Sequence, residues 1–183
     1  MSEAPLTALR KADIERLFRL LAAELAKEGA IGELYLVGGA VMCLVLDARP
    51  ATRDVDAFFR PTQVVRRAAA RVAARAGVPD TWLNDSVKGF LSPRGDFVPY
   101  LELPNLRVFT AEPHYLLAMK CAAMRLGAEF HDLDDVRYLL RHLDVTTVEQ
   151  ALAVVTRYFD EGQLAPKTRL ALEELLPSRG RAP

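Results

Sequence analysis

The sequence predicts an α/β fold over residues 1–112 followed by a helical region over 113–183 packed on it. Three observations carry this. A short apolar run at residues 34–37 and an alternating stretch at 54–59 read as strands and are separated by Gly38-Gly39 and an apolar helical stretch. A proline-broken segment over 79–105 reads as turns and short strands. Everything after Pro113 has helical spacing and helix-start signals.

In chain order, Ile14, Leu17, Phe18, Leu21 and Leu25 recur at spacings of three and four. That predicts an amphipathic helix with Asp13 as N-cap and Gly29 as its stop. Leu34-Tyr35-Leu36-Val37 is the first strand, Gly38-Gly39 the turn, and residues 40–46 a helix ended by Pro50. Asp54-Val55-Asp56-Ala57-Phe58-Phe59 alternates and then turns wholly apolar, as a strand does on entering a core. Residues 62–76 form a helix with Val64, Val65, Ala68 and Val72 inward and its arginines facing solvent.

Across 79–110, the prolines and glycines of 79–105 leave 87–91 and 106–110 as the better strand candidates. Helices follow from Pro113 to about residue 126, over 132–142, after a capping box Thr146-x-x-Glu149, and over about 167–176. The tail from Ser178 reads as a frayed end.

The 183 residues suffice for one ordinary domain, or for a small α/β core with a helical extension. Apolar residues at 51% and charged residues at 26% exclude a disordered chain. Twenty-four basic and 24 acidic residues cancel, so net charge announces no nucleic-acid partner. Cys43 and Cys121 lack zinc spacing and read as reduced thiols. His114, His131 and His142 are not at ligand spacing, so no zinc site is assigned. With neither a signal-peptide pattern nor an apolar run of about 18 residues, the expectation is a cytoplasmic protein without a membrane partner.

The chemistry concentrates where Gly38-Gly39 is followed a dozen residues later by Thr52-Arg53-Asp54-Val55-Asp56. Glycines let a backbone approach an anion, and a helix start supplies unpaired N–H groups to phosphate. Residues two apart on a strand share a face, so Asp54 and Asp56 stand side by side with Val55 in the core. Adjacent carboxylates repel unless a cation sits between them, and magnesium is the natural cation for carboxylates facing a polyphosphate.

Strand, Gly-Gly, helix and then Thr-x-Asp-x-Asp on the next strand resembles the signature of the DNA polymerase β-like nucleotidyltransferase superfamily. Within it the chain is similar to the small bacterial group of abortive-infection and toxin-antitoxin nucleotidyltransferases. The likeness extends to Trp82-Leu83-Asn84-Asp85-Ser86-Val87-Lys88-Gly89-Phe90, to Tyr115-Leu116-Leu117-Ala118-Met119-Lys120 and to Asp132-Leu133-Asp134-Asp135-Val136.

The resemblance implies a polymerase β-type core with a short mixed sheet and a magnesium-dependent transfer of a nucleoside monophosphate from a nucleoside triphosphate to an acceptor hydroxyl. The acceptor would be the 3′ end of tRNA or a protein hydroxyl, with a cognate antitoxin as partner. It assigns Asp54 and Asp56 to the metal, and Gly38, Gly39, Thr52 and Lys120 to the nucleotide. Lys120 and Asp132 join the aspartates as catalytic residues, with Asp135 as second choice to Asp132; His131 and Val136 replace the family's basic residue and isoleucine.

Each assignment has a plainer alternative. Lys120 either snorkels from an apolar helix or reaches an anion, and Asp132 and Asp135 can be helix-start residues. A third carboxylate acting as general base falls to Asp96 or Glu102, either of which can instead be an exposed turn residue. Trp82 is core or cleft lining. Two other functions fit the same residues: nucleotidylation of a small molecule such as an aminoglycoside, and a non-catalytic, antitoxin-like binding module, against which the retention of both aspartates argues.

Overall fold

The strand and helix periods are realised in a computed structural model that describes residues 8–124 and 132–177. It divides into two compact units. The first takes the described residues to Gly89 together with Phe97–Ala111; the second takes Phe90–Asp96 and the described residues from Glu112 onward. The segment Phe90–Asp96 thus belongs with the helical unit.

In the first unit, β1 (Leu9–Arg10) leads into α1 (Lys11–Lys27), β2 (Gly32–Leu36) and α2 (Gly38–Leu44). Then come β3 (Ala51–Thr52), β4 (Val55–Arg60), α3 (Thr62–Ala76), β5 (Leu83–Asn84), β6 (Phe97–Leu103) and β7 (Leu106–Ala111). Five strands form one mixed sheet in the order β5-β4-β2-β7-β6. β2 runs antiparallel to β4 and parallel to β7, while β4 is parallel to β5 and β6 antiparallel to β7. β1 and β3 make a separate antiparallel pair, Leu9 opposite Thr52.

Alternation decides which face is covered. Leu34, Leu36, Val55, Ala57, Phe59, Leu106 and Val108 are buried, whereas Tyr35, Asp56, Phe58 and Phe109 between them are half-buried. Gly32 shows what covers the buried face: a Cβ there would stand 2.8 Å from Leu25 of α1 and 3.3 Å from Val65 of α3. On the other face, Tyr35 stacks on Phe109 with ring centroids 4.8 Å apart and meets Phe97 edge-on at 5.3 Å.

The second unit holds α4 (Pro113–Ala122), α5 (Asp132–His142), α6 (Val148–Thr156) and α7 (Pro166–Leu175). Thr168 is fully buried and donates to the Cys121 carbonyl at 3.0 Å, joining α7 to α4. Phe90–Asp96 is held here by polar bonds. The Ser92 N–H donates to the Tyr115 hydroxyl at 3.0 Å, Ser92 Oγ donates to the Tyr158 carbonyl, and the Tyr158 hydroxyl donates to Asp96 at 3.1 Å. Burial, reinforced by the Asp96 carboxylate, pushes the Tyr158 phenol up to about 12.

Several local expectations change. Arg10 is the N-cap of α1, and Asp13 is its third residue, accepting the Arg10 N–H at 3.0 Å. The capping box of α6 is Thr147 with Gln150, one residue later than expected. Residues 86–90 make a 3-10 turn rather than a strand, and β6 runs through Pro99. That proline is tolerated because β6 is an edge strand with an irregularity between Pro99 and Leu101. The expectations for residues 125–131 and for the tail from Ser178 lie outside the described residues.

The arginines of α3 face outward, as expected, and are ion-paired. Arg71 bonds Glu24 at 3.0 Å and also Glu28, Arg67 reaches Glu28 at 3.4 Å, and Arg75 lies 3.9 Å from Glu24. Lys27 and Arg71 hold the Glu24 carboxyl below its ordinary value; Arg71 and then Arg67 do the same for Glu28. Carboxyls depressed in the folded state stabilise it above the unfolded value of about 4.3, and that contribution disappears as the pH falls through the folded-state values. Urea midpoints followed from pH 6 to pH 3 should therefore fall more steeply in the wild type than in Arg71→Met; parallel curves would show that these ion pairs do not stabilise the fold.

Gly95 gives a second test. A Cβ there would lie 2.5 Å from two ring atoms of Tyr115, whose side chain is fully buried. Gly95→Ala should cost about 1–3 kcal/mol, as overpacking of a rigid site does, and thermal unfolding reads it as a lowered midpoint; an unchanged midpoint would mean that the ring moves aside freely.

Candidate functional site

Asp54 immediately precedes β4 and Asp56 is its second residue. Val55 between them is fully buried and donates its N–H to the Trp82 carbonyl at 2.7 Å. With Val55 fixed inward, strand alternation turns both aspartates to the opposite face, where each is half-buried. Thr52 Oγ1 donates to the Asp54 carbonyl at 3.2 Å and so shapes the chain entering the strand.

The glycine turn is tied to the same place. Val37 donates its N–H to the Asp56 carbonyl at 3.0 Å, so the chain enters α2 alongside the aspartates. Gly38 has φ +67, a left-handed conformation that glycine adopts without steric cost. A Cβ on Gly38 would stand 3.1 Å from Asp56 Oδ2; one on Gly39 would stand 2.9 Å from Thr52 Oγ1 and 3.1 Å from an Arg49 guanidinium nitrogen. Gly38 lies under one aspartate, and Gly39 under a hydroxyl and a guanidinium. α2 has seven residues, closed at its far end by Lys11 Nζ donating to the Leu44 carbonyl at 3.1 Å.

Arg49 was not among the sequence candidates. It sits in the connection between α2 and β3, beside Pro50, where nothing in the spacing ties it to the glycines; its position three residues before Thr52 was the available signal. A guanidinium presents planar, paired donors suited to phosphate oxygens. Asn84, at the end of β5, is paired in register with Asp56 and donates from Nδ2 to Asp54 Oδ2 at 3.3 Å. Trp82, noted as core or cleft lining, is core: 1% exposed, with its indole N–H donating to the Ala69 carbonyl at 3.1 Å.

Of the two candidates for a third carboxylate, Glu102 stands apart from the pair on the sheet. Glu102 is opposite Arg107 on β6, and the register continues from Arg107 to Glu33 to Arg60. That places it three strands from β4 and four residues along from Asp56, about 13 Å in the strand direction. Asp96 belongs to the second unit and accepts from Tyr158. The β7 positions facing the same way as Asp56 are Arg107, Phe109 and Ala111, and Glu112 caps α4 by accepting from His114 and Tyr115. Among the described residues no group of three or more histidine, cysteine, aspartate or glutamate side chains is arranged to hold a metal ion.

Lys120, Asp132 and Asp135 come together in the second unit. The lysine ammonium is 3.2 Å from Asp132 and 2.7 Å from Asp135, and their side chains are 12%, 6% and 3% exposed. Asp132 is the first residue of α5 and Asp135 lies in its first turn, where carboxylates also oppose the helix dipole. The lysine thus reaches an anion, and that anion is protein. His131, the replaced basic residue of this element, lies outside the described residues.

No protein-family model matches the chain, and neither a curated protein nor a solved structure matches it.

The lysine cluster predicts a stability effect. Removing the ammonium that two buried carboxylates share should cost on the order of 3–5 kcal/mol, so Lys120→Met should unfold at markedly lower denaturant than the wild type. An unchanged midpoint would show that the cluster does not hold α4 and α5 together.

Proposed function

We propose that the first unit is a nucleotidyltransferase core: it transfers a nucleoside monophosphate from a nucleoside triphosphate to an acceptor hydroxyl, with release of pyrophosphate. The observation carrying this reading is the close approach of Asp56 to the glycine turn, 3.1 Å from the Cβ position of Gly38, with Thr52 and Arg49 against that of Gly39 and Asp54 on the same strand face as Asp56. A side chain at either glycine would press on these groups, whose chemistry suits a magnesium polyphosphate. Asp54 and Asp56 are hard oxygen ligands; Arg49, Thr52 and the glycine backbone are donors for phosphate oxygens.

Asp54 and Asp56 would hold the magnesium ion. Bound there, it would supply positive charge to the phosphate oxygens and leaving pyrophosphate. The protein's own part is positional: Gly38 and Gly39 admit the triphosphate close to the backbone, Thr52 orients it, and Arg49 stabilises charge developing on it. With seven residues, α2 adds a modest dipole, which gives the guanidinium the larger electrostatic part. We also read the mixed sheet as a polymerase β-type core, because its two aspartates flank the start of the strand antiparallel to the one that leads into the glycines.

Lys120 and Asp132 are ion-paired within the second unit, so the reading rests on residues of the first. The acceptor is a hydroxyl, and the family likeness suggests the 3′ end of tRNA in a toxin controlled by a cognate antitoxin.

The test is transfer of α-labelled nucleoside triphosphates, with magnesium, to total tRNA, cell protein or aminoglycosides. Label should move to one of them, stop with chelator and return with added magnesium. Asp54→Asn and Asp56→Asn should each lower transfer at least about 100-fold, the scale of losing a charge-stabilising group. Gly39→Ala should raise the KM for the triphosphate. Transfer that persists in both aspartate variants, or no transfer to any acceptor, would defeat the proposal.

A further inference from the structure

The short strand β5 contributes only Leu83 and Asn84 to the sheet edge, yet it is firmly anchored. Trp82 is buried with its indole bonded to α3, and Leu83 pairs in register with Val55. Asp85 is bound by Arg66 at 2.7 Å, with Lys88 at 3.9 Å. Between these anchors stands Asn84, opposite Asp56 in the register and bonded to Asp54.

Its amide has a defined orientation. Asn84 Oδ1 accepts the Ser86 backbone N–H at 3.2 Å and the Ser86 hydroxyl at 2.6 Å. A backbone N–H can only donate, so the atom facing it must be the amide oxygen. The NH2 group is thereby turned toward Asp54 Oδ2. A donor without charge is what a pair of ligating carboxylates can use: a lysine here would compete with the cation, and an aspartate would add a third negative charge.

We infer that Asn84 is a positioning residue for the aspartate pair: its amide, oriented by Ser86, holds Asp54 in the geometry that binds a divalent cation and keeps the site at two negative charges. This rests on the cation-binding role of Asp54 and Asp56 proposed above. A hydrogen bond from a residue behind a ligand fixes the ligand's orientation before the ion arrives, and losing such a bond typically lowers metal affinity about 10- to 100-fold.

Manganese, a spectroscopically visible stand-in for magnesium, is the probe. Its binding to the full chain is titrated by electron paramagnetic resonance in the wild type, Asn84→Ala, Asn84→Asp and Asp54→Asn, and thermal unfolding is recorded with and without the ion. Asn84→Ala should bind manganese about 10-fold more weakly while its metal-free unfolding midpoint stays near that of the wild type, since the side chain is half-exposed. In Asn84→Asp three carboxylates crowd one face, so its metal-free midpoint should fall and manganese should raise it by more than in the wild type.

Wild-type affinity in Asn84→Ala, or an ion-induced rise in Asn84→Asp no larger than in the wild type, would overturn the inference. If Asp54→Asn abolishes binding while Asn84→Ala does not alter it, only the role of Asn84 fails. If the wild type binds no manganese, the cation reading fails and this inference with it.

Discussion

Burial of Val55, Ala57 and Phe59 beneath α1 and α3 is the constraint on which the first unit turns. A strand has two faces and a period of two, so once these three residues are committed to the core the side chains between them have one direction left. Asp54 and Asp56 are displayed together because Val55 cannot move. The same register sets Asn84 beside Asp56 and draws the Val37 N–H to the Asp56 carbonyl, which brings the glycine turn under the Asp56 carboxylate. A one-residue slip of β4 would bury both charges and expose the apolar set, a cost no local rearrangement could offset.

Polar bonds do comparable work in the helical unit. Lys120 gathers Asp132 and Asp135 from the start of α5, Thr168 fastens α7 to α4, and Ser92 and Gly95 draw a segment from the middle of the chain against Tyr115. These contacts join residues far apart in sequence. Each requires a small or polar side chain where a larger apolar residue would not serve.

The features legible in the sequence were those determined locally. α3 spans residues 62–76 as its periodicity indicates, and α5 begins at Asp132 and ends at His142 as its acidic start and basic end suggest. The aspartate pair and the glycine turn were also visible, because alternation and the freedom of glycine are properties of a few consecutive residues. What was hidden depends on partners. β6 was obscured by Pro99, which an edge strand with a local irregularity accommodates, and residues 87–91 had strand-forming composition although residues 86–90 make a 3-10 turn. Arg49 reaches the glycines by the path of a loop, which has no period. The engagement of Lys120 by two carboxylates 12 and 15 residues later could be read from its apolar surroundings only as a need for some anion.

The chain has two thiols, and each unit received one: Cys43 lies on α2 of the first and Cys121 on α4 of the second. Both are buried, and burial pushes both upward, Cys121 to about 12, so neither presents a reactive thiolate in the closed structure. Alkylation at either position therefore has to wait for a local opening, and its rate measures how often that opening occurs. The molecule carries a built-in chemical clock for each half, through which the breathing of the sheet unit and that of the helical unit can be timed separately without introducing a label.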